Sequence, residues 1–316
     1  MGERIAVIGA GVIGLSIARE LAGREVAGRD ITVLHDQDPL ETTSAVAGAL
    51  WFPYAAESSA AVDAMLGTSL RRFVAIAAEH PDAGVDLRSG IVIERMRDPE
   101  RAWTAQLQAS EVDPSELPDG ATGLRTITPL ATMTEYLPWL RAQCEARGVR
   151  FERRAVDDVD ALAHDFDTVI VAAGARGGTL LGDDSSVVPI RGQVVRVERR
   201  GISEFVLDDQ NPAGLVYVLP RRDCVVLGGT HEPGETGLET DPAVEAAIID
   251  RCTALVPALA GARIHSRAVG LRPGRETLRI EEVPGRAMRV VAAYGHGGSG
   301  MTLSWGTAQR VVALLD

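Results

Sequence analysis

A glycine-rich turn between two apolar strands restricts the fold of this chain more than any other feature of its sequence. The segment RIAVIGAGVIGLSIARELAG has an apolar run of strand length, Ile5–Ile8, followed by helical spacing of apolar residues up to Leu21. A second apolar run, Ile31–Leu34, is followed closely by Asp36. The turn before the helix has the spacing G-x-G-x-x-G, with glycines at Gly9, Gly11 and Gly14. This strand, turn, helix and second strand with a terminal acid predict a dinucleotide-binding unit.

Each part of this unit has a physical role in binding a dinucleotide. The glycines tighten the turn, admit a pyrophosphate against backbone N–H groups at the helix N-terminus, and bring the helix close to the strand. Asp36 would accept hydrogen bonds from the ribose hydroxyls of an adenosine group. Because its negative charge disfavours a 2′-phosphate at that place, the sequence argues against NADP as the ligand.

Charge and residue usage exclude several classes of function. The net charge of −12 argues against nucleic acid or an anionic membrane surface as a partner. The sequence contains no lysine, which excludes chemistry through a lysine Schiff base and a Walker-type phosphate loop. We expect a cytoplasmic protein, because the N-terminal segment does not resemble a secretory leader and no apolar stretch is long enough to cross a bilayer.

The cysteine and histidine patterns predict no metal site. The three cysteines are far apart and form no C-x-x-C pair, so we expect them to be packing residues in a reducing compartment. They are Cys144, Cys224 and Cys252. His231, Glu232 and Glu235 are close in sequence, but their spacing matches no metal-ligand pattern.

The remaining pattern predicts an α/β fold with two domains. Helices are expected at residues 60–78, 133–147, 242–255 and 302–315, and a buried strand at 169–172. Residues 1–50, 138–185 and 268–316 would form one discontinuous, Rossmann-like domain, in which helices connect parallel strands. A second, mostly antiparallel, β-rich domain that binds the substrate would form from residues 51–137 and 186–267.

A second glycine cluster lies near the end of the sequence. The segment YGHGGSGMTLSWG, Tyr294–Gly306, has four glycines within the six residues Gly295–Gly300, directly before the predicted last helix. Closely spaced glycines bring backbone groups against a flat ring, and a helix N-terminus offers N–H donors and a positive dipole end. A reduced flavin is anionic at its N1 and C2=O side, whereas a nicotinamide develops no such anion. The cluster therefore favours a flavin.

Taken together, these motifs resemble the D-amino acid oxidase family of FAD-dependent enzymes, in its bacterial type. The similarity rests on VIGAGVIGLS, TTSAVAGALWFPY, RGQVVRV, YVLP, GLRPGR and YGHGGSGMTLSWG, which follow in order along the chain. It implies non-covalently held FAD, a substrate domain over the flavin, and oxidation of an amino acid to an imino acid, with O2 as the electron acceptor that yields hydrogen peroxide. Because a buried, unpaired side-chain carboxylate is costly, we expect neutral or apolar D-amino acids as the substrates. The partners would be a D-amino acid and O2, and a homodimer is left open.

The resemblance also implies which residues contact FAD. Those near the adenosine and the pyrophosphate are Gly9, Ala10, Gly11, Val12, Ile13, Gly14, Asp36, Thr42, Thr43, Ser44, Val156 and Gly174. Those near the flavin ring are Gly48, Ala49, Leu50, Gly297, Gly298, Gly300, Met301 and Thr302.

Three further residues would act on the substrate. The resemblance places Arg272, in GLRPGR, and Tyr217, in YVLP, on the substrate carboxylate, and the backbone carbonyl of Gly298 on the amine. A guanidinium fork binds a carboxylate bidentately and a phenol adds a donor, so this clamp would orient Cα without a side-chain base. His296 is expected to supply backbone contacts only.

The sequence leaves several functions open beside this one. The family pattern has a lid tyrosine where this sequence has Ala213, so a lid is in doubt and the site would have room for bulky side chains. A D-aspartate oxidase would need a second cation in the pocket, for which Arg221 and Arg222 are the nearest candidates; at a strand end such charges are more often solvated. A glycine or sarcosine oxidase also stays open, as does a non-catalytic dinucleotide-binding sensor.

Overall fold

Two β-sheets with helices packed on them make up the computed structural model, which describes residues 2–23 and 29–316. The strands are β1 Arg4–Ile8, β2 Asp30–His35, β3 Val85–Glu94, β4 Ala109–Glu111, β5 Thr122–Ala131, β6 Arg150–Arg153, β7 Thr168–Val171, β8 Val188–Val197, β9 Phe205–Asp208, β10 Val216–Pro220, β11 Val225–Gly228, β12 Glu232–Pro233, β13 Ile264–Gly274, β14 Arg279–Glu282 and β15 Arg289–Tyr294. The α-helices are α1 Val12–Leu21, α2 Thr43–Val46, α3 Ala60–Glu79, α4 Met133–Glu145, α5 Gly177–Leu181, α6 Pro242–Leu255 and α7 Gly300–Leu315. Short 3-10 helices lie at Pro39–Glu41, Pro81–Ala83, Ala102–Gln106, Pro114–Glu116, Asp160–His164, Gly174–Arg176 and Pro257–Leu259.

The first sheet is almost entirely parallel. Its strand order is β14-β15-β7-β1-β2-β6, and only the edge pair β14 and β15 is antiparallel. β1 and β7 are continuous apolar runs because helices cover both faces of a parallel sheet. The strands come from the start, the middle and the end of the chain.

The second sheet has nine strands and is mostly antiparallel. Its order is β12-β8-β11-β10-β9-β3-β5-β4, with β13 also paired to β8. The pair β3 and β9 is parallel. β13 is an eleven-residue strand that runs alongside β8 over most of its length and carries the GLRPGR motif. The predicted fold class, a parallel α/β sheet with a mostly antiparallel β-rich unit, is confirmed.

The boundaries of the predicted domains cut through two elements. Position 138 lies inside α4 and position 268 inside β13. Helix α3, which the division assigns to the second domain, packs on α7: the Gly306 N–H donates to Ser69 Oγ over 2.9 Å, and a Cβ at Gly306 would lie 2.4 Å from the Met65 carbonyl oxygen. The two-domain division stays a prediction.

Individual elements agree closely with the sequence pattern. Asp241 caps α6 by accepting from the N–H groups of Ala243 and Val244, and α6 ends at Leu255 as expected. The three cysteines, Cys144, Cys224 and Cys252, are buried and free. In the part of the chain that the structure describes, no helix is both long and apolar enough to cross a membrane.

Candidate active site

A cavity of about 480 Å³ is lined by residues of both sheets. With one exception, every residue assigned above to FAD or to the substrate lines it. The exception is Gly14. A Cβ at Gly14 would lie 1.9 Å from the carbonyl oxygen of Gly9, so this glycine allows α1 to touch the turn after β1, and it does not line the cavity.

The turn after β1 is built from close backbone contacts. Gly9 has a φ of +112°, and a Cβ there would lie 2.5 Å from the Ala172 carbonyl oxygen. Gly11 is the N-cap residue of α1, and Ser44 Oγ accepts from the Val12 N–H over 3.0 Å. The neighbouring first-turn N–H groups have no acceptor within the helix, and Ile13 lines the cavity.

Two helix N-termini meet this one cavity. Helix α1 begins at Val12 and α7 at Gly300, and neither has an acidic residue in its first turn. A Cβ at Gly297, where φ is +51°, would meet no atom within 4 Å, so this backbone has open space beside it. Two positive dipole ends and an open glycine backbone fit a ligand with a pyrophosphate at one end and a flat, electron-accepting ring at the other. The residues present therefore fit FAD.

Charged groups are concentrated at the predicted adenosine end of the cavity. Asp36 lines it and pairs with Arg176, whose Nη1 lies 2.5 Å from Asp36 Oδ2. The same guanidinium also donates to the Val156 carbonyl over 3.3 Å. Both partners of the ion pair are exposed, so exchanging the guanidinium for ribose hydroxyls would cost little.

The segment after α2 forms the wall near the predicted flavin position. Ala49 has a φ of +64°, an unfavourable conformation for alanine, and its carbonyl accepts from the Ala131 N–H. Trp51 N–H donates to Pro129 O over 2.8 Å. These bonds fasten the wall to β5. The short helix α2 at the start of this segment does not show in the sequence pattern.

Tyr217 and Arg272 come together at the other end of the cavity. Tyr217 lies on β10, is 9% exposed, and faces the Arg272 guanidinium. Arg272 Nη1 donates to the Thr230 carbonyl over 2.9 Å. Burial raises the pKa of Tyr217, and the charge of Arg272 opposes that rise, so the phenol stays protonated and can donate at neutral pH.

Three glycines outside the predicted site fix these two side chains. A Cβ at Gly228 would lie 1.9 Å from Tyr217 Cζ, and one at Gly229 would lie 2.8 Å from Tyr217 Oη. A Cβ at Gly192 would lie 2.4 Å from an Nη atom of Arg272. Gly192 belongs to the quoted motif RGQVVRV. The motif does not reveal that Arg272, on the paired strand β13, packs against this glycine.

Gly192→Ala tests this arrangement directly. We expect the new methyl group to push the guanidinium aside and to lower kcat/KM for the best substrate at least about tenfold, with an unfolding midpoint near that of the wild type. The fold should tolerate the change, because the displaced atoms are the end of a flexible side chain. Steady-state kinetics and thermal unfolding check both parts. Wild-type kinetics would show that Gly192 does not position Arg272.

Tyr54 is a site residue that the sequence pattern does not reveal. It lines the cavity, and a Cβ at Gly298 would lie 2.4 Å from its Cδ1. Thr302 Oγ1 donates to Phe52 O over 2.9 Å, and Ser299 Oγ donates to Tyr54 O over 2.7 Å. The motif TTSAVAGALWFPY contains Tyr54, but only the contact with the second glycine cluster gives it a position.

His296 is unsuited to proton transfer. It is 4% exposed, and its Nε2 lies 2.9 Å from Thr307 Oγ1. Burial lowers its pKa to about 4, so the ring is neutral at physiological pH. The expectation that His296 supplies only backbone contacts stays a prediction, although the residue also lines the cavity.

Arg221 and Arg222 do not line the cavity. Arg222 pairs with Asp86 and Glu135. Arg221 is 1% exposed and pairs with Asp223, so its expected solvation at the strand end was wrong.

The loose cluster near His231 is also accounted for. His231 Nδ1 lies 3.1 Å from Tyr54 Oη, and Glu232 pairs with Arg191. Among residues 2–23 and 29–316 no three histidine, cysteine or acidic side chains are grouped as metal ligands. Ala213, at the position of the lid tyrosine, lies exposed in a turn where Asn211 Oδ1 accepts from its N–H.

Comparison with known proteins places this chain in a family. The family described as FAD dependent oxidoreductase (DAO) matches residues 4–314. The chain is 41% identical over 316 residues to a D-amino-acid oxidase of Rubrobacter xylanophilus, covering 98% of this chain and 95% of that protein. It is 32% identical over 332 residues to the human D-aspartate oxidase, covering 99% and 94%. The solved glycine oxidase of Geobacillus kaustophilus has the same fold, with a TM-score of 0.82 at 19% identity over 99% of this chain and 95% of that one. The chain therefore belongs to the D-amino acid oxidase family of FAD-dependent oxidoreductases.

Proposed function

We propose that this protein is a D-amino-acid oxidase that acts on neutral and apolar D-amino acids. The overall reaction consumes the D-amino acid, O2 and water, and yields a 2-oxo acid, ammonia and hydrogen peroxide. The observation that carries the proposal is the guanidinium of Arg272 facing the protonated phenol of Tyr217 at one end of the cavity. The R. xylanophilus relative, named a D-amino-acid oxidase, supports the same activity.

The chain's own residues would bind and orient the substrate. Arg272 would bind the carboxylate through two parallel N–H bonds, and Tyr217 would add a third donor. The Gly298 carbonyl would accept from the amine and orient it, and the lone pair of the deprotonated amine would form the C=N bond as the Cα hydride leaves. FAD, when bound, supplies the two-electron acceptor for that hydride. Water then hydrolyses the imino acid.

Handedness follows from this three-point arrangement. Once the carboxylate and the amine are fixed, only one enantiomer can turn its Cα–H toward the flavin while its side chain enters the pocket. The catalytic effect would come from positioning, which is worth several kcal/mol when the reacting atoms are held in an attack geometry.

The side-chain end of the cavity argues against D-aspartate as the main substrate. The lining near Tyr217 includes Leu207, its partner across the strand pair, and Leu215 and Leu219, two residues before and after it. The other charged residues that line the cavity, which include Asp36 and Arg176, belong to the adenosine end. A substrate carboxylate placed against the leucines would have no cationic partner, and an unpaired buried charge costs several kcal/mol.

A substrate panel tests the proposed function. We expect kcat/KM for D-alanine, D-methionine and D-phenylalanine to exceed the value for D-aspartate at least about 100-fold, and the L-forms to be inactive. The measurement is peroxide release from the purified holoenzyme, with glycine and sarcosine included. D-aspartate as the best substrate would overturn the proposed specificity, and faster turnover of glycine would favour a glycine oxidase. A colourless preparation would favour the dinucleotide-binding sensor.

A further inference from the structure

Two aromatic side chains from distant parts of the chain meet at the substrate end of the cavity. Tyr54 follows α2, and His231 follows β11. The Tyr54 hydroxyl and His231 Nδ1 are 3.1 Å apart, and the two rings meet edge to face with centroids 6.1 Å apart. The phenol lines the cavity, whereas the imidazole is exposed outside it.

Tyr54 is held over Gly298 by contacts of different kinds. Its carbonyl accepts from Ser299 Oγ, and its ring lies so close to Gly298 that a Cβ there would be 2.4 Å from Cδ1. The hydroxyl contact with His231 is the hydrogen bond that fixes the far end of the ring. Tyr54 and Arg272 line the same cavity. Burial raises the pKa of Tyr54, partial burial lowers that of His231, and the charge of Arg272 lowers both.

We propose that His231 is a positioning residue that holds Tyr54 as the wall limiting the size of the substrate's side chain. The proposal rests on the proposed function, since it concerns the same site. The ring over Gly298 occupies space next to the proposed amine acceptor, where a substrate's Cα and side chain must pass. The position of the family's lid tyrosine is an exposed alanine, Ala213, so no tyrosine at that position limits the substrate's side chain.

The imidazole of His231 can be removed without disturbing the contacts of the neighbouring residues. The Thr230 carbonyl, which anchors Arg272, belongs to the backbone and remains when His231 is replaced. The following residues are held independently, because Arg191 donates to the carbonyls of Gly237 and Glu239 and pairs with Glu232. Since the imidazole is exposed, its removal opens no cavity in the core. A His231 variant therefore frees the Tyr54 ring and little else.

The test compares large and small substrates in a double-mutant cycle. In the holoenzyme, we expect His231→Ala and Tyr54→Phe each to raise the ratio of kcat/KM for D-phenylalanine to that for D-alanine about three- to tenfold, the range of one hydrogen bond. The double variant should match either single variant, because both remove the same contact. His231→Asn should keep the ratio near the wild-type value, because the side-chain oxygen of asparagine can take the place of the histidine Nδ1. His265→Ala, at an exposed histidine beside Arg263, is the matched control and should leave the ratio unchanged.

A binding measurement separates this inference from the proposed function. Benzoate and 2-naphthoate, carboxylates that cannot be oxidised, are titrated into the holoenzyme and followed by the flavin spectrum. In each single variant, the affinity for 2-naphthoate relative to that for benzoate should rise by a similar factor. This expectation holds whether or not the wild type oxidises D-amino acids. If the wild type oxidises none, the proposed function fails while this measurement still decides the inference. Ratios within twofold of wild type in both assays, or single effects that multiply in the double variant, would overturn it.

Discussion

Arg272→Ala is expected to lower kcat/KM for D-alanine about 1,000-fold, with the protein still folded and yellow. The guanidinium faces Tyr217 at the cavity end, and the Thr230 carbonyl fixes its orientation. A charge-assisted bidentate contact with a carboxylate is worth roughly 3 kcal/mol or more, and its loss also removes the alignment of Cα. Arg272→Lys keeps the charge but not the planar fork, so we expect about a 100-fold loss. Peroxide-coupled kinetics measure both.

Arg267→Ala is the matched control for this prediction. Arg267 lies on the same strand, β13, and forms an exposed ion pair with Glu245. An ion pair of this kind at the surface contributes little to stability, so activity should stay within twofold of wild type. If both Arg272 variants kept near-normal kcat/KM, the carboxylate clamp would have to lie elsewhere in the cavity.

Gly14→Ala is expected to destabilise the protein by about 3 kcal/mol and to abolish FAD retention. Its Cβ would lie 1.9 Å from the Gly9 carbonyl oxygen, and neither backbone can move without separating α1 from β1. The loss of stability should appear in the apoprotein too, because the clash is within the chain. Urea unfolding of the apoprotein and the flavin absorbance after gel filtration give the two readouts.

Gly11→Ala separates the two glycines of this turn. A Cβ at Gly11 would meet only Ser44 Oγ, at 3.1 Å, and the residue has an ordinary extended conformation with a φ of −75°. We therefore expect apoprotein stability within about 1 kcal/mol of wild type, together with weaker FAD binding because the methyl group faces the cavity. Equal destabilisation by the two substitutions would refute the distinct roles given to them.

Local patterns in the sequence were enough to predict most of the fold. Three features could be recognised within about fifteen residues each, and all three appear where expected. They are the run Ile5–Ile8, the spaced glycines after it, and the helix after Asp241. Strand β13 was not predicted, because only its pairing with β8 makes Ile264–Gly274 a continuous strand. The discontinuous sheet was predicted because its central strands, β1, β2 and β7, are mainly apolar runs.

The residues of the candidate site were likewise predictable only where they belong to a local motif. Residues in motifs, such as Arg272 and Tyr217, could be named from the sequence, and the structure brings them together. Three other residues could not be named from the sequence, because each gains its role from a contact with a residue far away in the sequence. These are Tyr54, Gly192 and Gly228. Gly14 was assigned to the ligand although it serves the packing of α1, a distinction that depends on which way its missing side chain would point.

The order of strands in the parallel sheet has a consequence for synthesis of the protein. β1 pairs with β7, and β7 pairs with β15, so the sheet needs residues near both ends of the sequence. One helix N-terminus of the cavity follows β1, and the other follows β15. At translation rates of about 5–20 residues per second, β1 waits on the order of ten seconds or more for β7, and the sheet waits longer for β14 and β15. The nascent chain thus carries apolar strands without their partners, and its cofactor can bind only after nearly all of it has left the ribosome.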